Sequence, residues 1–137
     1  MGMKRFWRGG FGAVLAACVV ASCLAYAGKI RLESLGVPNL DFYGHLVFMG
    51  LLAFFAAGLL GHRVVFSRRP ALRTVRLGPA LVLAAAATDE VLQRFSSHRS
   101  STWSDFAADV IGVTLATLFA VKVAGAIKER GCRAPAA

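Results

Sequence analysis

Four long apolar stretches divide this chain, and short segments rich in charged residues separate them. The stretches cover residues 10–28, 42–60, 77–95 and 106–125. Each is close to the roughly 20 residues that an α-helix needs to cross about 30 Å of hydrocarbon. The pattern predicts four transmembrane helices, and two acids, Asp89 and Glu90, interrupt the third stretch.

The composition favours a membrane protein over a soluble core. The chain has 137 residues, 57% of them hydrophobic, and a mean hydropathy of +0.62. That length is typical of one domain, which we assign to residues 1–137. The predicted fold class is all-α, a polytopic membrane protein built as a bundle of four transmembrane helices.

Small residues inside the stretches predict how these helices pack. Gly44, Gly50, Gly58 and the alanines at 84–87 allow two helix backbones to approach closely. We expect the second, third and fourth helices to be mutual neighbours, because their polar ends must meet for the acids to be compensated. The first helix is expected to pack at the periphery.

Basic residues fall mainly on one side of the predicted membrane. Twelve of the sixteen Lys and Arg residues precede the first stretch, lie between the second and third, or close and follow the fourth, with Glu129 as the single acid among them. By the positive-inside rule, both termini are then cytoplasmic. Topology thus accounts for the net charge of +9, so we expect no nucleic-acid partner and an arginine-rich loop near anionic lipid headgroups.

The first stretch has two alternative interpretations. Its basic start and the sequence Ala25-Tyr26-Ala27 are also features of a secretory signal with a small-residue cleavage site. The sequence Val20-Ala21-Ser22-Cys23 has the form of a lipobox, which would place a lipid on Cys23. We favour an uncleaved helix, because the apolar run is as long as a full span and longer than the core of a typical signal.

Polar residues converge on the opposite, outer side. Three pairs with i,i+3 or i,i+4 spacing lie at the outer ends of the second, third and fourth stretches, and an arginine lies in the outer loop. A carboxylate at the edge of an apolar helix is costly unless it is paired or lines a wet cavity. The sequence therefore predicts one ligand-binding cluster, formed by Asp41, His45, Glu90, Gln93, Arg99, Asp105 and Asp109.

Several of these residues also have a purely structural interpretation. Asp41 and Asp105 are placed where an acid satisfies the free amides and the dipole of a helix N-terminus. Glu90 is harder to explain in that way, because a carboxylate near a helix C-terminus opposes the dipole. Asp109, one turn inside the fourth stretch, requires a partner such as His45 or Arg99. Asp89 points about 100° away from Glu90 and is left out of the cluster.

The order and spacing of the cluster resemble those of the VanZ-like family of small bacterial membrane proteins. The resemblance covers the second to fourth stretches and depends on Asp41-x3-His45 followed by Glu90-x2-Gln93-x-Phe95-x3-Arg99-x5-Asp105-x3-Asp109-x2-Gly112.

The chain departs from the family pattern at three places. Phe42 stands where the family usually has Lys, Ser97-His98 where it commonly has Pro-Gly, and Asp109 where it usually has Asn. The last change adds a negative charge, which favours cation binding. The resemblance implies a multi-pass helical protein of the bacterial inner membrane and an association with low-level resistance to teicoplanin. It implies no reaction.

Three classes of function remain open. The first is binding of the polar head of a cell-envelope lipid or cell-wall precursor, with Arg99 and His45 holding an anion. The second is a membrane-embedded enzyme acting on such a lipid, with His45, Glu90 and Asp109 as candidate catalytic residues. The third is a structural role, in which the cluster locks three helices and the protein stabilises a membrane-protein partner.

We rank binding first, and the sequence leaves open whether the protein is an enzyme. A divalent cation held by Asp41, His45, Glu90 and Asp109 is a variant of the second class. No dense metal-ligand motif supports it, so neither a metal site nor a cofactor is predicted. A cavity open to the outer face and lined by His45, Glu90, Arg99 and Asp109 favours binding or catalysis, whereas a dry, fully paired network without a void favours the structural role.

Overall fold

The computed structural model describes residues 3–29, 39–61, 63, 76–96 and 102–133, with side chains up to residue 124. These residues form four α-helices, which confirms the all-α class. The helices are α1 (Met3–Tyr26), α2 (Leu40–Leu60), α3 (Leu77–Gln93) and α4 (Trp103–Arg133).

Three of the four helices are long and apolar enough to cross a membrane. They correspond to Lys4–Tyr26, Leu40–Leu60 and Trp103–Ala124. The third predicted span is the exception, because α3 has only 17 residues and a length of about 25 Å. It ends at Gln93, two residues earlier than predicted, where the amides of Phe95 and Ser96 bond back to Leu92 and Gln93 in a closing turn.

The helix α2 is the centre of the bundle. It packs against each of the other three helices, and α3 also packs against α4. The expectation that the second, third and fourth helices are mutual neighbours is therefore confirmed. The helix α1 packs against α2 and reaches α3 through a hydrogen bond from Tyr26 near its end.

The helices α2 and α4 run parallel and in register. Residues about 64 positions apart meet repeatedly along the two helices, which only a parallel pair with a constant offset allows. The chain must therefore return between them, and α3 runs in the opposite direction. The contacts along the pair are His45 with Asp109, Gly50 with Gly112, and Phe54 with Phe119.

Two glycines allow this close parallel contact. A Cβ built on Gly50 would lie 3.2 Å from the carbonyl oxygen of Gly112, and one on Gly112 would overlap the carbonyl oxygen of Leu46. Gly50 therefore has the predicted packing role. Gly44 does not, since a Cβ there would meet nothing within 4 Å. Only part of the alanine run at 84–87 lies at a helix contact, because Ala86 is buried whereas the two alanines before it are exposed.

The buried core is narrow and made largely of small side chains. Ala53, Ala56 and Val82 lie at the contact of α2 with α3, and Val113 joins them from α4. A second packed region lies near the start of α1. There the Trp7 ring covers Gly58 and packs in tilted and edge-on contacts against Phe54 and Phe55 of α2. This aromatic region and the polar cluster lie at opposite ends of the bundle.

Candidate functional site

A buried histidine–aspartate pair lies at the centre of the polar end. His45 is in the second turn of α2 and Asp109 in the second turn of α4, so the parallel register brings them together. His45 Nδ1 lies 3.0 Å from Asp109 Oδ1, and both residues are buried, with 8% and 0% of their surface exposed. Of the two partners that the sequence suggested for Asp109, His45 is in contact with it, and Arg99 lies outside the described residues.

A second carboxylate lies on the other side of the His45 ring. Asp41 Oδ1 is 3.9 Å from His45 Nε2, beyond hydrogen-bond distance, and the Asp41 side chain is 41% exposed. Asp109 is therefore the closer partner of the ring. A neutral imidazole has one N–H and one lone pair, so it can donate to one of these carboxylates while its other nitrogen accepts or coordinates.

Asp105 combines helix capping with proximity to the histidine. Thr102 directly precedes α4, and its hydroxyl donates to the Asp105 carboxylate while also lying 3.4 Å from the Asp105 amide. This arrangement resembles a capping box. It agrees with the interpretation of Asp105 as an acid at a helix N-terminus. The same carboxylate is buried and lies within 4.8 Å of ligand atoms of Asp41 and His45. Asp105 therefore both caps α4 and belongs to the polar cluster.

The end of α3 contributes Glu90 and Gln93. Both are buried, and one carboxylate oxygen of Glu90 lies within 4.8 Å of ligand atoms of His45 and Asp109. Three helices thus bring acid groups to one histidine, as the spacing predicted. Gln93 follows on the same face of α3, and its Nε2 donates to Asp89 Oδ2 at 2.7 Å.

Asp89, which the sequence interpretation left out of the cluster, faces a neighbouring helix and bonds to Gln93 beside the cluster. Its Oδ1 accepts a hydrogen bond of 2.9 Å from the Tyr26 hydroxyl, so it connects the end of α1 to α3. The i,i+4 spacing of Asp89 and Gln93 was a signal that could have included it. The role of Tyr26 could not be read from the sequence, because it depends on where α1 packs.

Arg99, the predicted anion-holding residue, lies outside the described residues. The other six predicted cluster residues lie at the same end of the bundle. Two of them retain polar atoms without a hydrogen-bond partner within the described part of the chain. These atoms are Asp109 Oδ2 and Gln93 Oε1, and both are fully buried.

A cavity of about 190 Å³ adjoins the cluster between the end of α3 and the start of α4. Of the four residues expected to line such a cavity, Glu90 does so, His45 and Asp109 are not among the lining residues, and Arg99 lies outside the described residues. Arg94 borders the opening, with its guanidinium carbon 5.8 Å from the centre of the Trp103 ring. The lining residues are Ala87, Glu90, Val91, Arg94, Thr102, Trp103 and Phe106.

The arrangement offers two kinds of chemistry. Imidazole and carboxylates at short range can transfer protons or hold a cation. The cavity, lined by the buried Glu90 and the exposed Arg94, can accommodate a small polar group. No family model, curated protein or solved structure matches the chain, so these residues themselves carry the functional interpretation. The resemblance to the VanZ-like family stays a prediction.

Proposed function

We propose that this protein is an integral membrane protein that binds the polar headgroup of a membrane lipid or of a lipid-linked cell-envelope precursor. The position of Glu90 carries the proposal. This residue belongs both to the buried cluster and to the wall of the cavity between α3 and α4. A headgroup entering the cavity therefore meets one member of the cluster, Glu90.

The outer surface of the bundle supports a lipid environment. Each helix exposes large apolar side chains in its middle as well as at its ends, and in water this surface would favour aggregation. In lipid it carries no such penalty, because the surrounding tails are equally apolar. Examples, one from each helix in order, are Val19 (53% exposed), Val47 (50%), Leu81 (55%) and Leu115 (59%).

The aromatic residues with polar tips lie at two levels, as expected for membrane interfaces. Trp7 and Tyr26 are separated by 19 residues of α1, or about 28 Å, which is close to the thickness of the hydrocarbon layer. Tyr43 and Trp103 lie near the starts of α2 and α4, at the same end as Tyr26. These are all the Trp and Tyr residues of the chain.

The proposed topology has four spans, both termini in the cytoplasm and the polar cluster on the outer face of a bacterial inner membrane. The alternating helix directions support it, because α3 runs antiparallel to α2 and α4 and brings its polar end to theirs. The excess of Lys and Arg on the terminal side supports the orientation. In this arrangement α3 also crosses the membrane, as a shorter span than the other three helices. Membership of the VanZ-like family is part of the same proposal.

The size and charge of the cavity indicate the class of ligand. Pockets for drug-sized molecules are about 300–1,000 Å³, so a cavity of about 190 Å³ fits a phosphate or a single small headgroup rather than a whole glycopeptide. Arg94 supplies positive charge at the rim, and Arg99 is predicted to supply more. An anionic headgroup is therefore the expected ligand.

Mass spectrometry of co-purifying lipids tests this proposal. The protein is purified in mild detergent, and the lipids bound to the wild type are compared with those bound to Arg94→Ala and Arg99→Ala. We expect one anionic lipid class to be enriched on the wild type and reduced at least fivefold on both variants.

Arg63→Ala is the matched control, because Arg63 is exposed at the other end of the bundle. It should retain the enriched lipid. Equal lipid content in all four proteins would contradict headgroup binding at this site, provided that thermal unfolding shows each variant to be folded.

A membrane-embedded enzyme is the second candidate, favoured by the carboxylates on both sides of the His45 ring. An imidazole held in this way is suited to general acid–base catalysis. Incubating the purified protein with its co-purifying lipid and following new lipid species distinguishes the two functions. Turnover that His45→Gln abolishes without loss of lipid binding would establish catalysis, and unchanged lipid would leave binding as the function.

A further inference from the structure

The buried triad of His45, Glu90 and Asp109 has the composition of a metal site. One ligand atom from each residue lies within 4.8 Å of the other two, and all three residues are buried. Two ligands bound at about 2.1 Å to one octahedral ion lie about 3 Å apart when adjacent and about 4.2 Å apart when opposite. Small side-chain rotations would therefore bring the three atoms around a single ion.

Asp109 provides a separate indication that an ion binds here. Its Oδ1 faces His45, while its Oδ2 is fully buried and has no hydrogen-bond partner among the described residues. Gln93 Oε1, one turn from Glu90 on the same face of α3, is likewise buried without a partner. A buried carboxylate oxygen without a donor is costly, and a cation coordinated there would remove that cost.

The charges also match a divalent ion. Neutral imidazole and two carboxylates carry a charge of −2, which a divalent cation neutralises inside an apolar bundle. Mixed nitrogen and oxygen donors suit transition ions such as Mn²⁺ and Zn²⁺ better than Mg²⁺ or Ca²⁺, which prefer oxygen alone. We propose that His45, Glu90 and Asp109 bind one divalent transition-metal ion between α2, α3 and α4.

The second group of possible metal ligands is better suited to supporting the metal site than to holding the ion. Asp41, His45 and Asp105 also lie within 4.8 Å of one another, but Asp41 is 41% exposed and Asp105 already accepts a hydrogen bond from Thr102. With the ion on the Nδ1 side of His45, Asp41 lies on the Nε2 side and can orient the ring, as acids behind metal-bound histidines commonly do. Three protein ligands leave at least one coordination position for water or for a ligand oxygen, and Glu90 connects the triad to the cavity.

Metal binding is tested on the full chain in detergent, purified through a tag without histidines and stripped with EDTA. Titration with Mn²⁺, Zn²⁺ and Mg²⁺ in separate calorimetric runs gives affinity and stoichiometry. We expect one Mn²⁺ or Zn²⁺ per chain and at least tenfold weaker Mg²⁺ binding. Because no lipid is added, the result does not depend on headgroup recognition, and either proposal can fail alone.

Matched substitutions of single acids locate the ion. Asp109→Asn and Glu90→Gln remove a ligand charge with little change in shape and should weaken Mn²⁺ or Zn²⁺ binding at least tenfold. Asp105→Asn makes the same chemical change outside the triad and should alter the affinity no more than threefold. Loss of binding in Asp105→Asn, with binding retained in Asp109→Asn, would overturn the assignment.

Cobalt substitution of the wild type provides a readout that does not depend on how well the variants fold. One equivalent of Co²⁺ should produce visible absorption bands of a protein-bound ion, and one equivalent of Zn²⁺ should abolish them. Absence of these bands, together with absence of heat in the Mn²⁺ and Zn²⁺ titrations, would overturn the proposal.

Discussion

At the scale of single residues, Asp109 determines the character of the polar cluster. It is fully buried and its Oδ1 lies 3.0 Å from His45 Nδ1, so its removal leaves a buried imidazole without this partner. An amide at this position retains an acceptor for the ring but carries no charge. The contact with His45 and the charge of Asp109 can therefore be separated by substitution.

We predict that, without added metal, Asp109→Asn changes the free energy of unfolding by less than about 1 kcal/mol. Asp109→Ala should cost about 1–3 kcal/mol, because a buried hydrogen-bonding group then loses its partner. Thermal unfolding in detergent measures both values. Equal destabilisation by the two variants would show that the charge, rather than the hydrogen bond to His45, stabilises the fold.

Tyr26 makes a second residue-scale contact that can be tested with a matched control. We predict that Tyr26→Phe lowers the free energy of unfolding by about 0.5–1.5 kcal/mol, since it removes only the hydroxyl that donates to Asp89. Tyr43→Phe makes the same change at an exposed position and should have no measurable effect. Similar unfolding temperatures for both variants would contradict a role of Tyr26 in joining α1 to α3.

At the scale of helices, the contact of α2 with α4 depends on a backbone approach that only glycine permits. A methyl group on Gly112 would overlap the backbone of Leu46, and a flexible side chain cannot relieve that overlap. The helices would have to separate, and the pair of His45 and Asp109, one turn away, would separate with them.

We therefore predict that Gly112→Ala destabilises the fold by about 1–3 kcal/mol, the usual cost of an added methylene in a packed core. Gly44→Ala is the control, because nothing lies within 4 Å of the new methyl and alanine favours the helix. It should be neutral or slightly stabilising. Equal unfolding temperatures for the two variants would show that α2 and α4 do not pack as closely as described.

At the scale of the whole molecule, the apolar outer surface leads to a prediction that distinguishes lipid from water. Leu115 is 59% exposed and lies about 18 Å along α4, near the middle of a membrane-sized helix. Leu115→Lys should be harmless in a soluble protein but should cost about 2.5–3.5 kcal/mol of insertion free energy in a bilayer. The measurement is the amount of protein recovered in the membrane fraction after alkaline extraction.

Leu59→Lys provides the comparison, because Leu59 lies near the end of α2, where a lysine can reach the interface. We expect strong loss of membrane-inserted protein for Leu115→Lys and little for Leu59→Lys. Normal recovery of both variants would contradict a lipid-facing α4.

The helices and the composition of the polar end were predictable because they follow from local pattern. Apolar length predicted the four helices within a few residues at most ends, and the i,i+3 and i,i+4 spacing predicted which polar side chains share a face. The partner of Asp89 was not predictable, since Tyr26 is 63 residues away and helical spacing carries no information about a neighbouring helix.

The sequence by itself determined that the chain forms apolar helices with acids and a histidine near matching ends, because hydrophobic length and helical period are local properties. Only the tertiary structure decided that α2 and α4 run parallel at glycine contacts and that Asp109 rather than Asp41 is the closer partner of His45. It also decided that Glu90 connects the cluster to a cavity. The physical reason is that register and close approach depend on how two distant surfaces fit together, which no single helix encodes.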